Sequence, residues 1–249
     1  MGFESKRAEL KRRWYPETNF GGFADVDGTV RFYTRVNSLL TESATALDVG
    51  CGRGWYEADD VRLRRELRIL KGKCMRVVGI DTDPSAEGNP YLDEFRLLSE
   101  GTRWPMEDES VDLCLCDYVV EHLEDPSSFF SEAHRVLKQN GVLCIRTPNL
   151  ASYFGLIAKL VPNRLHLAVT QRVQTKAEVD SFPTYYRCNT RRALRRALSA
   201  GGFDAVVYGF ESDPSYLGFS RFLYALGVIH QRYAPSLVKT NLFAFAKKS

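Results

Sequence analysis

The chain has 249 residues, 44% of them hydrophobic and 26% charged, which suits one globular α/β domain with some elaboration. Its formal net charge of +3 lacks the strong basic excess of a dedicated nucleic-acid binder. The N-terminal stretch MGFESKRAELKRRW has no apolar core of a secretory signal, Lys6 stands where a myristoylation motif needs Ser or Thr, and no apolar run is long enough to span a bilayer. A cytoplasmic protein is expected.

In chain order, the first predicted elements are helices. Val30, Tyr33, Val36 and Leu40 recur at helical spacing within an N-terminal segment, 1–43. The pattern then switches. Thr45 to Gly50 is a short apolar run ending in glycine, as in a buried parallel strand. A helix is predicted over roughly Glu57 to Leu70, then strands over Met75–Asp81, Glu94–Leu98 and Val111–Asp117. Asp125 and Pro126 read as the N-cap and first residue of a helix. Phe129, Phe130, Ala133, Val136 and Leu137 form its apolar stripe, and Asn140-Gly141 is expected to stop it. Val142–Pro148 is a fifth strand and closes a core of residues 44–148. From 149 to 188 the alternation lapses, which predicts a cap insertion. It resumes over 189–249, with Asn189 as an N-cap candidate. A helix follows with Ala193, Leu194, Ala197 and Leu198 on one face, then strands over Phe203–Phe210 and Thr240–Lys248. Strands alternating with helices imply a mostly parallel sheet with right-handed crossovers.

The six cysteines are scattered without a CxxC pair, so no metal site is expected and they read as small buried hydrophobes in a reducing compartment. Cys114 and Cys116 would share one face of their strand. Arg191, Arg192, Arg195 and Arg196 interleave with the apolar positions of their helix, either as a basic groove or, more simply, as a solvated face. The Tyr216–Tyr233 helix is apolar on one side, at Leu217, Phe222, Leu226 and Ile229. That side suits ordinary packing, an acceptor cover, a dimer face or a peripheral membrane contact.

The strongest motif is ALDVGCGRG, Ala46 to Gly54. A buried strand runs into Gly50, Gly52 and Gly54, where the backbone can approach a ligand at the carboxyl ends of the strands. The spacing is G-x-G-x-G. A nicotinamide fingerprint needs G-x-G-x-x-G, and Trp55 occupies the position of its third glycine. Asp81 ends the next strand, where a carboxylate can accept hydrogen bonds from a ribose diol or cap the following turn.

These residues, with RWPMEDESVDLCLCDYVVEHLEDP and EAHRVLKQNGVLCIRTPN downstream, resemble the class I S-adenosylmethionine-dependent methyltransferases. The likeness is to the small-molecule group that includes the ubiquinone-biosynthesis type. It covers about Ala44 to Asn149 and implies a Rossmann-like seven-stranded sheet, mostly parallel, with helices on both faces and the last strand antiparallel. It implies S-adenosyl-L-methionine as cofactor and S-adenosyl-L-homocysteine as product. By the same resemblance Asp48, Gly50, Cys51, Gly52 and Gly54 hold the methionine end, Asp81 the ribose, and Ile80 or Thr82 flanks the adenine. Glu100, followed by Gly101, stands where the family usually has an Asp touching the adenine. Asp117 and Tyr118 sit beside the amino-acid end. Glu121-His122 is the family's EH pair. In relatives it organises an acceptor or a metal, or fixes a turn, and His122 is the candidate general base.

The segment Asp180–Thr190 closes the cap with Phe182, Tyr185, Tyr186 and Arg187. It reads equally as an acceptor pocket or as a loop anchored by its aromatics. His166, within the cap, is a further acceptor candidate. The expected activity is methyl transfer to an oxygen or nitrogen of a small biosynthetic intermediate, by a monomer or a homodimer. The alternative is a non-catalytic S-adenosylmethionine-binding sensor or scaffold. Partners from the nucleic acids are not expected, since DYVVEH stands where amino-methyltransferases of nucleic acids carry N-P-P-aromatic.

Overall fold

A computed structural model describes residues 3–99, 103–153, 155 and 183–249. Among the described residues, seven strands form one sheet in the order β3-β2-β1-β4-β5-β7-β6. They are β1 (Thr45–Val49), β2 (Arg76–Asp81), β3 (Glu94–Leu97), β4 (Val111–Asp117), β5 (Leu137–Pro148), β6 (Phe203–Phe210) and β7 (Asn241–Lys248). β7 runs antiparallel between β5 and β6, and the other pairings are parallel. The expected reversed last strand is therefore present. All five residues of β1 are buried, as befits a strand covered on both faces.

One face of the sheet packs against α4 (Pro126–Val136) and α5 (Arg191–Ala200), through Phe129, Phe130, Ala133, Leu194 and Leu198. The other face is covered from α2 (Gly28–Leu39) by Phe32, Tyr33 and Val36, with Leu70 beyond α3 (Arg62–Arg68). A third, smaller core joins α1 (Phe3–Trp14) to α6 (Arg221–Tyr233) through Leu10, Tyr15, Tyr224 and Val228. Cys51, Cys114, Cys116, Cys144 and Cys188 are buried and Cys74 partly so, all as free thiols; Cys114 and Cys116 share one core.

Four boundaries differ from expectation. The helix predicted over Glu57–Leu70 is split into a 3-10 turn, Trp55–Ala58, and α3. Asp59 is extended, accepts from Val61 N–H at 3.0 Å and pairs with Arg64 at 3.0 Å, so it tethers the start of α3 instead of continuing a helix. Asn140-Gly141 does not stop α4, which ends at Val136 and runs directly into β5. Asn140, at φ +68°, sits where the β4–β5 register shifts. The cap of α5 is Thr190, whose hydroxyl accepts from Ala193 N–H at 3.2 Å. Asn189 instead donates to Thr147 Oγ1 at 2.6 Å. Finally, α6 begins at Arg221 behind its Ser220 cap, not at Tyr216. Its buried side carries Tyr224, Gly227 and Val228, while Phe222, Leu226 and Ile229 face outward. Ordinary packing does not account for that stripe.

Asp125 caps α4 as predicted, accepting from Ser127 N–H at 2.9 Å. Glu100, Gly101, His166 and Phe182 lie outside the described residues, as does most of the cap.

Candidate functional site

In a parallel sheet the backbone leaves a crevice where neighbouring strands send their connections to opposite faces. Here that point lies between β1 and β4, flanked by β2 on one side and β5 on the other. A cavity of ≈ 340 Å³ opens there, at the carboxyl ends of the strands. Its walls include Tyr33, Asp48, Gly50, Cys51, Gly52, Gly54, Tyr56, Arg68, Asp117, Tyr118 and Arg146.

The glycine loop forms one wall. Gly50, Gly52 and Gly54 all take positive φ, from +54° to +70°, which other L-residues adopt only under strain. Gly50 N–H donates to Ile80 O at 2.8 Å, and a Cβ on Gly50 would lie 2.7 Å from Val119 Cγ2. At Gly52 a Cβ would meet nothing within 4 Å. Gly50 is therefore a packing requirement, while Gly52 keeps open the space in front of the loop. The buried amide of Asn89 braces the loop from behind, donating to Cys51 O and Gly52 O at 3.1 Å each. Cys51 Sγ packs against Gly79.

Asp48, one residue before the end of β1, lines the cavity and is 9% exposed. No donor among the described residues bonds its carboxylate. Burial pushes its pKa up to about 8, with Asp117 and Asp81 adding to the rise. Asp81 ends β2 and is also buried. Its two oxygens accept from Gly52 N–H and Asp83 N–H at 2.9 Å each, so it ties the glycine loop to the β2 turn. Thr82 is exposed and stands outside the cavity wall.

Asp117, at the end of β4, faces Asp48 and is held by Arg146 of β5. Arg146 Nε and Nη2 each donate at 2.6 Å, one to each carboxylate oxygen, and Tyr33 Oη adds a third bond at 2.9 Å. Burial works against the Arg146 charge, and Asp117, Tyr118 and Tyr33 together more than offset it. The guanidinium also donates to Thr29 Oγ1 at 2.9 Å and lies over the rings of Phe32, Tyr33 and Tyr118 at 4.9–5.6 Å. Tyr118 takes φ +59°, a conformation that strains a non-glycine residue by about 1–3 kcal/mol. Arg146 O accepts its N–H at 2.8 Å, and its hydroxyl donates to Asn241 Oδ1 at 2.9 Å, so both ends are pinned at the cavity rim.

The Glu121-His122 pair lies in the 3-10 turn after β4. Glu121 is 4% exposed, and burial raises its pKa. Its carboxylate accepts from Thr147 Oγ1 at 2.8 Å, and its backbone oxygen accepts from Tyr185 and Tyr186 N–H at 2.9 and 3.0 Å. His122 Nδ1 lies 2.8 Å from Pro183 O. A carbonyl only accepts, so Nδ1 carries the proton and Nε2 is the basic nitrogen of the neutral ring. The turn thus clamps the 183–186 segment. Tyr186 is half-buried at φ +51°, Tyr185 and Arg187 are exposed, and none of these residues lines the cavity.

Of the sequence-predicted site residues, Asp48, Gly50, Cys51, Gly52, Gly54, Asp117 and Tyr118 converge on the cavity. Tyr33, Tyr56, Arg68, Arg146 and Asn89 were missed. Arg146 left a signal, a charge in the middle of an apolar strand. Tyr33 left none, since its spacing also reads as core.

Residues 47–145 match the family described as methyltransferase domain. A probable S-adenosylmethionine-dependent methyltransferase of Mycolicibacterium smegmatis is 32% identical over 143 residues, 55% of this chain and 52% of that protein. A namesake from Mycobacterium tuberculosis is 31% identical over 124 residues, 47% of this chain and 42% of that protein. The match thus spans about half the length of these relatives. Among solved structures, a SAM-dependent methyltransferase of Archaeoglobus fulgidus superposes with a TM-score of 0.51 at 18% identity, over 93% of this chain and 97% of that one. The geranyl diphosphate C-methyltransferase of Streptomyces coelicolor, solved with S-adenosyl-L-homocysteine, superposes with a TM-score of 0.52 at 16% identity, over 88% and 77%.

Proposed function

We propose, from the match of residues 47–145 to the methyltransferase-domain family, that the chain transfers a methyl group from S-adenosylmethionine to an oxygen or nitrogen of a small-molecule acceptor. The observation that carries this reading is the buried Asp48 carboxylate lining a cavity whose glycine loop leaves open space. A carboxylate raised by burial is relieved by a cation, and the cofactor carries two positive centres, its ammonium and its sulfonium. The residues therefore fit it.

Asp48 and the Gly50–Gly54 backbone would hold the amino-acid end, and Asp81, with lone pairs beyond its two backbone bonds, the ribose. When bound, the cofactor supplies a methyl already activated on positively charged sulfur. What remains for the chain is to position the acceptor and exclude water, and such positioning is worth about 7–11 kcal/mol. The Arg146–Asp117 pair and Tyr118 form a rigid rim for that purpose. His122 Nε2 is the group suited to take the acceptor's proton where the acceptor is a weakly acidic hydroxyl. The Tyr185–Arg187 segment, docked on the His122 turn, is the proposed acceptor side.

Calorimetric titration with S-adenosylmethionine, S-adenosylhomocysteine and NADH tests the reading. Binding of the first two without the third is expected. Binding of NADH alone would overturn it.

A further inference from the structure

The outer surfaces of α5 and α6 have no role in the cavity, and each is unusual. Neither helix contains an Asp or Glu, while together they carry six arginines. On α5, Arg191, Arg192, Arg195 and Arg196 are all exposed, and among the described residues none forms an ion pair with a carboxylate. They line a shallow groove of ≈ 420 Å³ together with Ser199 and Leu237. On α6, Phe222, Leu226, Ile229 and Tyr233 stand one above the next at i, i+4, i+7 and i+11, 71%, 45%, 53% and 79% exposed. That stripe is about 16 Å long at 1.5 Å per residue. Leu237, 54% exposed, follows Tyr233 by four residues and stands among the arginines of the groove. It sets apolar surface within the basic groove itself.

We propose that these two faces dock on a bilayer containing anionic lipids, with the α6 stripe entering the interface and the α5 arginines meeting headgroup phosphates. A helix with exposed aromatic and aliphatic residues beside unpaired cations is the composition that binds such interfaces. Charge complementarity selects the occupant. A second copy of this chain would bring four more arginines against the same four. A nucleic acid would match the arginines but offers no apolar layer to Phe222, Leu226 and Ile229. No described helix is long and apolar enough to cross a membrane, so the contact is peripheral.

The test is co-sedimentation of the whole chain with vesicles of phosphatidylcholine alone and with phosphatidylglycerol mixed in. Binding is expected only to the mixed vesicles, and salt should weaken it. Arg192→Glu with Arg196→Glu should lower the partition coefficient roughly thirty-fold or more, since each basic residue near an anionic surface accounts for about a five-fold change. Phe222→Ser with Ile229→Ser should lower it as well. Both variants place their changes on exposed side chains, and unchanged circular dichroism confirms that they fold. Three results would overturn the proposal. These are no partition of the parent chain into mixed vesicles, unaltered partition of both variants, or a dimer by analytical ultracentrifugation that the Phe222 and Ile229 changes dissociate while vesicle binding persists. Binding to duplex DNA that the arginine changes abolish and the α6 changes spare, without vesicle binding, would reassign the groove to nucleic acid.

Discussion

Arg146 grips Asp117 through two parallel bonds of 2.6 Å, one from Nε and one from Nη2, so β5 and β4 are locked together at the wall of the cavity. Removing the arginine leaves a partly buried carboxylate without its counter-charge, close to the buried Asp48. Breaking such a pair from one side costs about 3–5 kcal/mol. Arg146→Met should lose stability in that range in urea denaturation. Arg146→Met combined with Asp117→Leu should lose less than the single change, because no stranded charge remains. A double variant at least as unstable as the single would show that the pair is not the source of the loss.

The pH dependence of stability should report Asp48. Its pKa is raised from 3.8 to about 8 by burial, then by Asp117 and Asp81. Between those values the folded chain keeps a proton that the unfolded chain releases. Its contribution to stability is therefore full below about 4 and is lost as pH rises through about 8. Asp48→Asn should flatten that decline and exceed the parent in thermal stability at alkaline pH. It should also bind S-adenosylmethionine more weakly. Because a cationic ligand favours the carboxylate, titrations in buffers of different ionisation enthalpy should show proton release on binding by the parent and less by the variant.

Two neighbouring glycines should fail differently. Gly52→Val puts methyl groups into the open space before the loop and should abolish cofactor binding while the chain still unfolds cooperatively, with a loss of about 1–2 kcal/mol from the left-handed backbone. Gly50→Val adds a collision with Val119 to the same strain, so its midpoint in urea should fall further. Equal cofactor affinity in Gly52→Val and the parent would remove the claim that this space is the ligand's.

Asp81 braces the loop through Gly52 N–H and Asp83 N–H. Asp81→Ala removes the acceptor for both donors and the proposed ribose ligand. A charged hydrogen bond is worth about 1.5–3 kcal/mol, so cofactor affinity should fall roughly ten- to a hundred-fold. Asp81→Asn, which keeps one acceptor oxygen, should recover part of that loss. Calorimetry on the two variants distinguishes this from a purely structural brace, for which affinity and stability would fall in proportion.

On the acceptor side, Tyr186→Ala and Arg187→Ala should leave cofactor affinity unchanged and depress turnover, measured as methyl transfer from labelled S-adenosylmethionine. Arg187→Lys should also fail if a carboxylate is held by the planar fork. Tyr186 N–H already bonds Glu121 O, so loss of the side chain should not undock the segment. Full turnover in both alanine variants would move the acceptor elsewhere.

Local residue pattern determined the alternation of strands and helices, because buried parallel strands read as apolar runs and helices keep their own period. It also determined the glycine loop and the acidic ends of β1, β2 and β4, since each is a local pattern within a few residues. It could not determine where side chains distant in the chain meet. Tyr33 and Asp117 are 84 residues apart, and only the packing of α2 across the sheet brings the hydroxyl to the carboxylate. The same limit explains α6. Its apolar residues are legible, but a helix with apolar residues on two sides does not say which side the protein keeps. Contacts with α1 settled that, burying Tyr224 and Val228 and leaving Phe222 and Ile229 to the surface.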